Sequence, residues 1–152
     1  MRIFLGFVAA VIAVLTFHQG MLELLYLLGA APFAPYQIRP IPPLGVPWIV
    51  NLCFWGGLYG AVFGLLLPRF TWPLWVCGLC LGVVAALVGM FIVAPIKGNP
   101  IANGWAAWPI ARSLLINGSW GLGVGLILPL IMPRRLMTAG RMSTGRMSGM
   151  GA

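Results

Sequence analysis

The 152-residue sequence predicts an all-α membrane protein: a four-transmembrane-helix bundle with both termini cytoplasmic, arranged as two tandem helical hairpins. Three observations carry that reading. Hydrophobic residues make up 61% of the chain and charged residues 7%, whereas soluble domains carry roughly 25% charged residues. Apolar runs of the roughly 20 residues that one helical crossing requires occur four times. The runs are continuous instead of alternating with period two, which selects helices over barrel strands.

The first span is expected over 3–28. It is apolar from Ile3 to Phe17, dips through "TFHQGMLELL", and resumes from Leu24. Arg2 followed by an apolar run has the look of a secretory leader. No small-x-small cleavage site follows Phe17 directly, however, and the apolar pattern continues past Glu23, so an uncleaved span is the reading adopted. "APFAPYQIRPIPPLGVP" ends this span, because proline fixes its own φ and lacks an amide donor. The second span is expected over 47–67, closed by the tight "PRFTWP" turn. The third covers 71–94 and gives way to "APIKGNPIANGWAAWP", and the fourth covers 109–132. Residues 1–133 therefore form one transmembrane domain. Residues 134–152, with the degenerate "GRMST" and "GRMSG" units, are expected to be a basic, disordered cytoplasmic tail near anionic headgroups, each basic residue contributing about 1 kcal/mol of attraction.

Orientation follows from the nine cations. With both termini cytoplasmic, Arg2, Arg69, Arg134, Arg135, Arg141 and Arg146 lie inside, and Arg39, Lys97 and Arg112 lie outside. Lys and Arg are retained on the cytoplasmic side. The expected location is the bacterial inner membrane, crossed several times. The same topology accounts for the net charge of +8, and no basic helix face with interleaved aromatics suggests a nucleic-acid partner.

An internal similarity links the second and fourth spans. In "FWGGLYGAVFGLLLPR" and "SWGLGVGLILPLIMPR", Trp55, Gly56, Gly60, Pro68 and Arg69 fall on Trp120, Gly121, Gly125, Pro133 and Arg134 at a constant offset. A duplicated hairpin produces this pattern, and so does a shared packing requirement. Duplication would relate the halves by a pseudo-twofold axis along the membrane normal, since an even number of spans separates them. Gly56, Gly60 and Gly64, Gly78 and Gly82, and Gly121 and Gly125 recur at every fourth residue. Small residues at that spacing let helix backbones approach closely in lipid, where hydrophobic drive between helices is weak. A tightly packed bundle with little room for an internal aqueous pathway is the expectation.

The only histidine and the only acidic residue, His18 and Glu23, sit five positions apart. At about 1.5 Å and 100° per residue they lie roughly 22 and 30 Å from Ile3, and about 140° apart around the axis, so they are not a pair. Thr16, Gln19, Glu23 and Tyr26 fall on one stripe, with His18 off it. Polar residues within spans avoid lipid. Thr16, His18, Gln19, Glu23, Asn51, Arg112, Ser113 and Asn117 are therefore expected to gather as a polar cluster in the outer half of the bundle. That cluster is read either as interhelical hydrogen bonding, with Glu23 meeting water or one of Arg39, Lys97 and Arg112, or as a site open to the outside for an ion, a small solute or a quinone headgroup.

"AVLTFHQG", "IPPLGVPWIVNLCFWGGLYG", "APIKGNPIANGW" and "NGSWGLGVGLILP" together resemble a group of small, uncharacterised four-span proteins of the bacterial inner membrane. The resemblance extends nearly to Pro133. It implies the span count and a bacterial membrane, and that group has no activity to carry over.

The chemistry of the residues argues against an enzyme. One histidine and one acid leave too few ligands for a metal centre within one chain, and there is no HExxH, no phosphate-binding loop and no serine beside a base. Cys77 and Cys80 form a CxxC inside a span with no second pair, so they read as small packing residues. No cofactor is expected. The function expected is that of a non-catalytic accessory or assembly subunit, packed in the lipid bilayer against a larger membrane-protein partner or its own copies. The alternative is a small oligomeric transporter or channel using the polar cluster.

Overall fold

A computed structural model describes residues 1–42 and 44–133. Among the described residues four helices are long and apolar enough to cross a membrane: α1 (Arg2–Leu27), α2 (Trp48–Arg69), α3 (Leu74–Ile96) and α4 (Ala107–Ile131). At about 1.5 Å per residue they are about 33–39 Å long, more than the roughly 30 Å hydrocarbon core of a bilayer. Two starts differ from the sequence reading for one reason, the tolerance of helix N-termini for proline. Pro73, with ψ 137°, caps α3 from outside, so α3 begins at Leu74. Pro109 is accommodated within the first turn of α4, which begins at Ala107, because the amide that proline lacks has no helical partner there anyway. The basic tail expected over 134–152 lies outside the described residues.

The even number of helices puts the start of α1, the 67–73 turn and the end of α4 on one face of the bundle, called here the terminal face. The opposite loop face carries 28–47 and 97–106. In the first loop, Pro40–Ile41 (β1) pairs antiparallel with Val46–Pro47 (β2). This ribbon was not expected from the proline content, and its turn relies on Gly45 at φ 65°. Exposed Trp72 and Trp75 mark the terminal face, and exposed Trp105 and Trp108 the loop face, where amphipathic rings suit the two interfaces of a bilayer.

Within each hairpin the helices meet backbone to backbone. Gly60 and Gly64 of α2 lie against Gly6 and the Arg2 carbonyl of α1, so that a Cβ on any of the three glycines would overlap main chain. Gly78 and Gly82 of α3 interlock in the same way with Gly121 and Gly125 of α4. Gly56 meets Val14, whose Cγ2 would lie 2.7 Å from an added Cβ. Gly57 and Gly123 are also close to their neighbours, here the side chains of Phe7 and Phe17, and neither they nor Gly6 was picked out by the four-residue spacing.

The hairpins join along one side only. α1 packs extensively on α4, whereas α2 and α3 make few contacts although a short turn connects them. In the cyclic order α1, α2, α3, α4, three seams are closed and the fourth is open. The core lies in the closed region, formed by Ala9, Ala10, Ala13, Val14, Phe63, Trp120, Val124 and Leu128. The Trp120 indole Nε1 donates to the Ala10 carbonyl at 3.1 Å in the α1/α4 seam.

Candidate functional site

α1 is not a regular helix throughout. Residues Val14–His18 form a π turn. Hydroxyls bond to carbonyls in and beside this turn: Tyr36 Oη donates to Leu15 O (2.7 Å) and Ser119 Oγ to Phe17 O (3.2 Å), while Thr16 Oγ1 donates to Ile12 O (2.8 Å). Side chains that insert into the backbone ladder are a recognised cause of such irregularity, and backbone freed within a membrane must find partners of this kind. A second π turn, Gly89–Val93, lies in α3 just before Pro95. The proline ring would strike the carbonyl four residues back, that of Phe91, and the widened turn relieves the clash.

The π turn alters the angular arithmetic of the sequence reading. Each residue turns less than 100° there, so His18 and Gln19 face the same space while Thr16 is turned out to the surface. The stripe Thr16, Gln19, Glu23 and Tyr26 does not exist: Gln19 is buried and Thr16 and Tyr26 are exposed. Gln19 is held at both ends of its amide. Its Oε1 accepts the Tyr36 backbone N–H (2.8 Å), which turns Nε2 toward His18 Nδ1 (3.2 Å). Nδ1 is then the acceptor, and a neutral His18 ring carries its proton on Nε2.

His18 and Gln19 line a cavity of about 340 Å³ at the loop face, together with Gln37, Asn103, Arg112, Ser113 and Asn117. Its wall includes Trp48, packed on Phe33 at 5.1 Å between ring centroids and covered by the Arg39 guanidinium at 4.3 Å. Unusual backbone borders it. Tyr36 has φ 53°, and 102–104 form a left-handed turn with φ of 49°, 56° and 69°. Asn and Gly adopt this conformation readily, but Ala102 does so at a cost of the order of 1–3 kcal/mol. Trp108 Nε1, bonded to the Ala30 carbonyl at 3.0 Å, ties the base of α4 to the first loop.

A second cavity, of about 540 Å³, occupies the open seam between α2 and α3. Asn51, Trp55, Leu58, Tyr59 and Val62 of α2 face Ala85, Val88, Gly89 and Val93 of α3 across it, with Val14 and Trp120 behind and Lys97 at the loop end. His18, Trp48, Leu52 and Asn117 line both cavities, so the two are neighbours across these four side chains. Each volume falls in the range of about 300–1,000 Å³ typical of small-molecule sites.

Of the eight polar residues expected to cluster, His18, Gln19, Arg112, Ser113 and Asn117 share the first cavity, and Asn51 reaches the second with His18 and Asn117. Thr16 and Glu23 line neither. Among the described residues Glu23 forms no ion pair, so the expected pairing with Arg39, Lys97 or Arg112 is not made. The α2/α3 seam departs from the expected tight packing, while the region behind it is close-packed around Val124 and Leu128. Gln37, Asn103, Tyr36 and Trp48 were not among the expected site residues, since they lie in proline-rich connections or at a helix entrance where no periodicity points to them. Among the described residues no three His, Cys, Asp or Glu side chains converge to hold a metal. Cys53 and Cys77 are half-buried against the core, whereas Cys80 faces outward and does not pack as expected.

No family model, curated protein or solved structure matches the chain.

Proposed function

We propose that this chain is a multi-pass protein of the bacterial inner membrane, loop face outward, that acts as a non-catalytic accessory subunit by holding an amphipathic molecule drawn sideways from the outer leaflet. The observation that carries this reading is the sharing of His18, Trp48, Leu52 and Asn117 between a polar cavity at the loop face and an apolar groove in the side of the bundle. A molecule with a polar head and an apolar tail fits that succession, and the groove sits where a lipid tail would reach it without crossing a polar barrier. The charge distribution supports the orientation. The transporter reading is less favoured, because the groove is backed by Val14 and Trp120 and the region beyond is close-packed around Val124 and Leu128.

The test is native mass spectrometry of the full chain extracted in mild detergent. Wild type should retain lipid, and Val62→Trp, which adds an indole to an exposed position lining the groove, should lose it while folding normally by circular dichroism. Equal lipid retention by the two proteins would remove the groove from the account.

A further inference from the structure

The polar cavity has a sign. Arg112 is half-buried in its wall and Lys97 stands at the loop end of the adjoining groove, yet neither lining contains a carboxylate. The chain's only acid, Glu23, lies outside both, and among the described residues Arg112 has neither an ion-pair nor a hydrogen-bond partner. A partly desolvated cation with no counterion favours an anion from outside the protein. Guanidinium presents a planar fork that matches phosphate oxygens in pairs.

The neutral groups point further. Asn117 Nδ2 donates to the Ser113 carbonyl (2.9 Å) and Gln37 Nε2 to the Ala34 carbonyl (2.9 Å), so each amide gives one of its two N–H groups to backbone and keeps its carbonyl oxygen for an outside donor. His18 Nε2–H and the Ser113 hydroxyl add donors to the same wall. The cavity thus combines cation, donors and spare acceptors. A quaternary ammonium head has no N–H or O–H for those acceptors, and any cationic head would lie beside Arg112.

Resting on the reading of the joined cavities as an amphiphile site, we propose that the head bound there is a phosphate bearing free hydroxyl groups, that is, an anionic phospholipid with a polyol head. Arg112 takes the phosphate, the oxygens of Gln37 and Asn117 take the hydroxyls, and the tail lies in the α2/α3 groove.

The full chain in mild detergent is titrated with phosphatidylglycerol, phosphatidic acid, phosphatidylcholine and glycerol 1-phosphate, with bound lipid counted by native mass spectrometry. Phosphatidylglycerol should bind at least tenfold more tightly than phosphatidylcholine, with phosphatidic acid between them. Glycerol 1-phosphate, lacking the tail, should not bind at the same concentrations. Arg112→Gln should erase the preference, so that phosphatidylglycerol and phosphatidylcholine bind alike, and Arg69→Gln, at the terminal face, should leave the preference intact. Equal binding of phosphatidylglycerol and phosphatidylcholine by wild type, with Val62→Trp still excluding both, would overturn the head assignment and spare the groove. If Val62→Trp excludes neither, both readings fall. An equal loss in Arg69→Gln and Arg112→Gln would reduce the preference to general attraction between anionic lipid and a basic protein. Should Arg112→Gln not fold, the wild-type ratio decides the matter alone.

Discussion

A single methyl group should distinguish the two kinds of helical glycine in this chain. At Gly121 an added Cβ meets the Gly78 carbonyl and the backbone N and Cα of Gly82; at Gly60 it meets Ala10 Cβ and the Gly6 carbonyl. Main-chain atoms cannot rotate aside, so the helices must separate along the whole seam. Overpacking of a close-fitted interior costs about 1–3 kcal/mol, and rigid backbone on the far side places these sites at the upper end. Alanine recovers up to about 1 kcal/mol of helix propensity, leaving a net loss of about 2 kcal/mol. Gly20 is the internal control: it lies within α1, and a Cβ there meets nothing within 4 Å. Gly20→Ala keeps the propensity gain without the clash and should be neutral or about 1 kcal/mol more stable. Unfolding in mild detergent titrated with sodium dodecyl sulfate should therefore rank Gly20→Ala at or above wild type, and Gly60→Ala and Gly121→Ala well below it. Unfolding of all three at the same detergent fraction would show that the glycine seams do not hold the helices together.

Gln19→Leu should cost about 1–3 kcal/mol, because it strands the Tyr36 N–H beside a buried position, whereas Tyr36→Phe, which only releases the Leu15 carbonyl, should cost about 0.5–1.5 kcal/mol; the same titration measures both. Glu23→Gln should stay within about 0.5 kcal/mol of wild type, as expected for a partly exposed acid without an ion pair, and a larger loss would reveal a partner for the carboxylate. Reporter fusions after Arg69 and after Arg135 should read as cytoplasmic, and fusions near Arg39 and Asn99 as external, with the opposite pattern overturning the orientation drawn from charge.

The helices were legible because their signal is redundant: each needs only an apolar run, and proline strings mark its ends. The glycine seams were legible in part, because the four-residue spacing of Gly56, Gly60 and Gly64 reports one side of an interface while its partner, Gly6, stands alone in α1 with no period to mark it. The polar cavity was legible in type but not in geometry. His18 and Gln19 face one space across the end of a π turn, and the carbonyls of that turn are bonded by Tyr36 and Ser119, which lie 21 and 102 residues away from their acceptors in the chain. Constant-angle reasoning along one helix cannot anticipate a contact made by another element. The cavity's remaining wall comes from loops, where Gln37 and Asn103 are placed by individual backbone angles instead of by a repeating pattern.

The open seam follows from comparing the two halves. If the hairpins were related by a twofold axis, the α1/α4 seam would have an equivalent between α3 and α2, and Trp120 would have its counterpart in Trp55 at the same register. The first relation fails while the second holds in sequence. Trp120 is 2% exposed, bonded to the Ala10 carbonyl and packed edge-on against Tyr59, whereas Trp55 is 54% exposed and lines the groove. What separates them is the helix each one faces. Trp120 faces the small residues of α1, Ala10 and its fully buried neighbours Ala9 and Ala13, which leave room for an indole. Trp55 faces the groove, whose α3 side includes the branched Val88 and Val93. Trp120→Phe should therefore destabilise the bundle by at least about 0.5–1.5 kcal/mol through the lost hydrogen bond. Trp55→Phe should leave stability within about 0.5 kcal/mol, as for an exposed position, and alter only lipid retention. Equal destabilisation by the two substitutions would mean that the α2/α3 seam is closed in the membrane, and the groove would then have no entrance from the lipid.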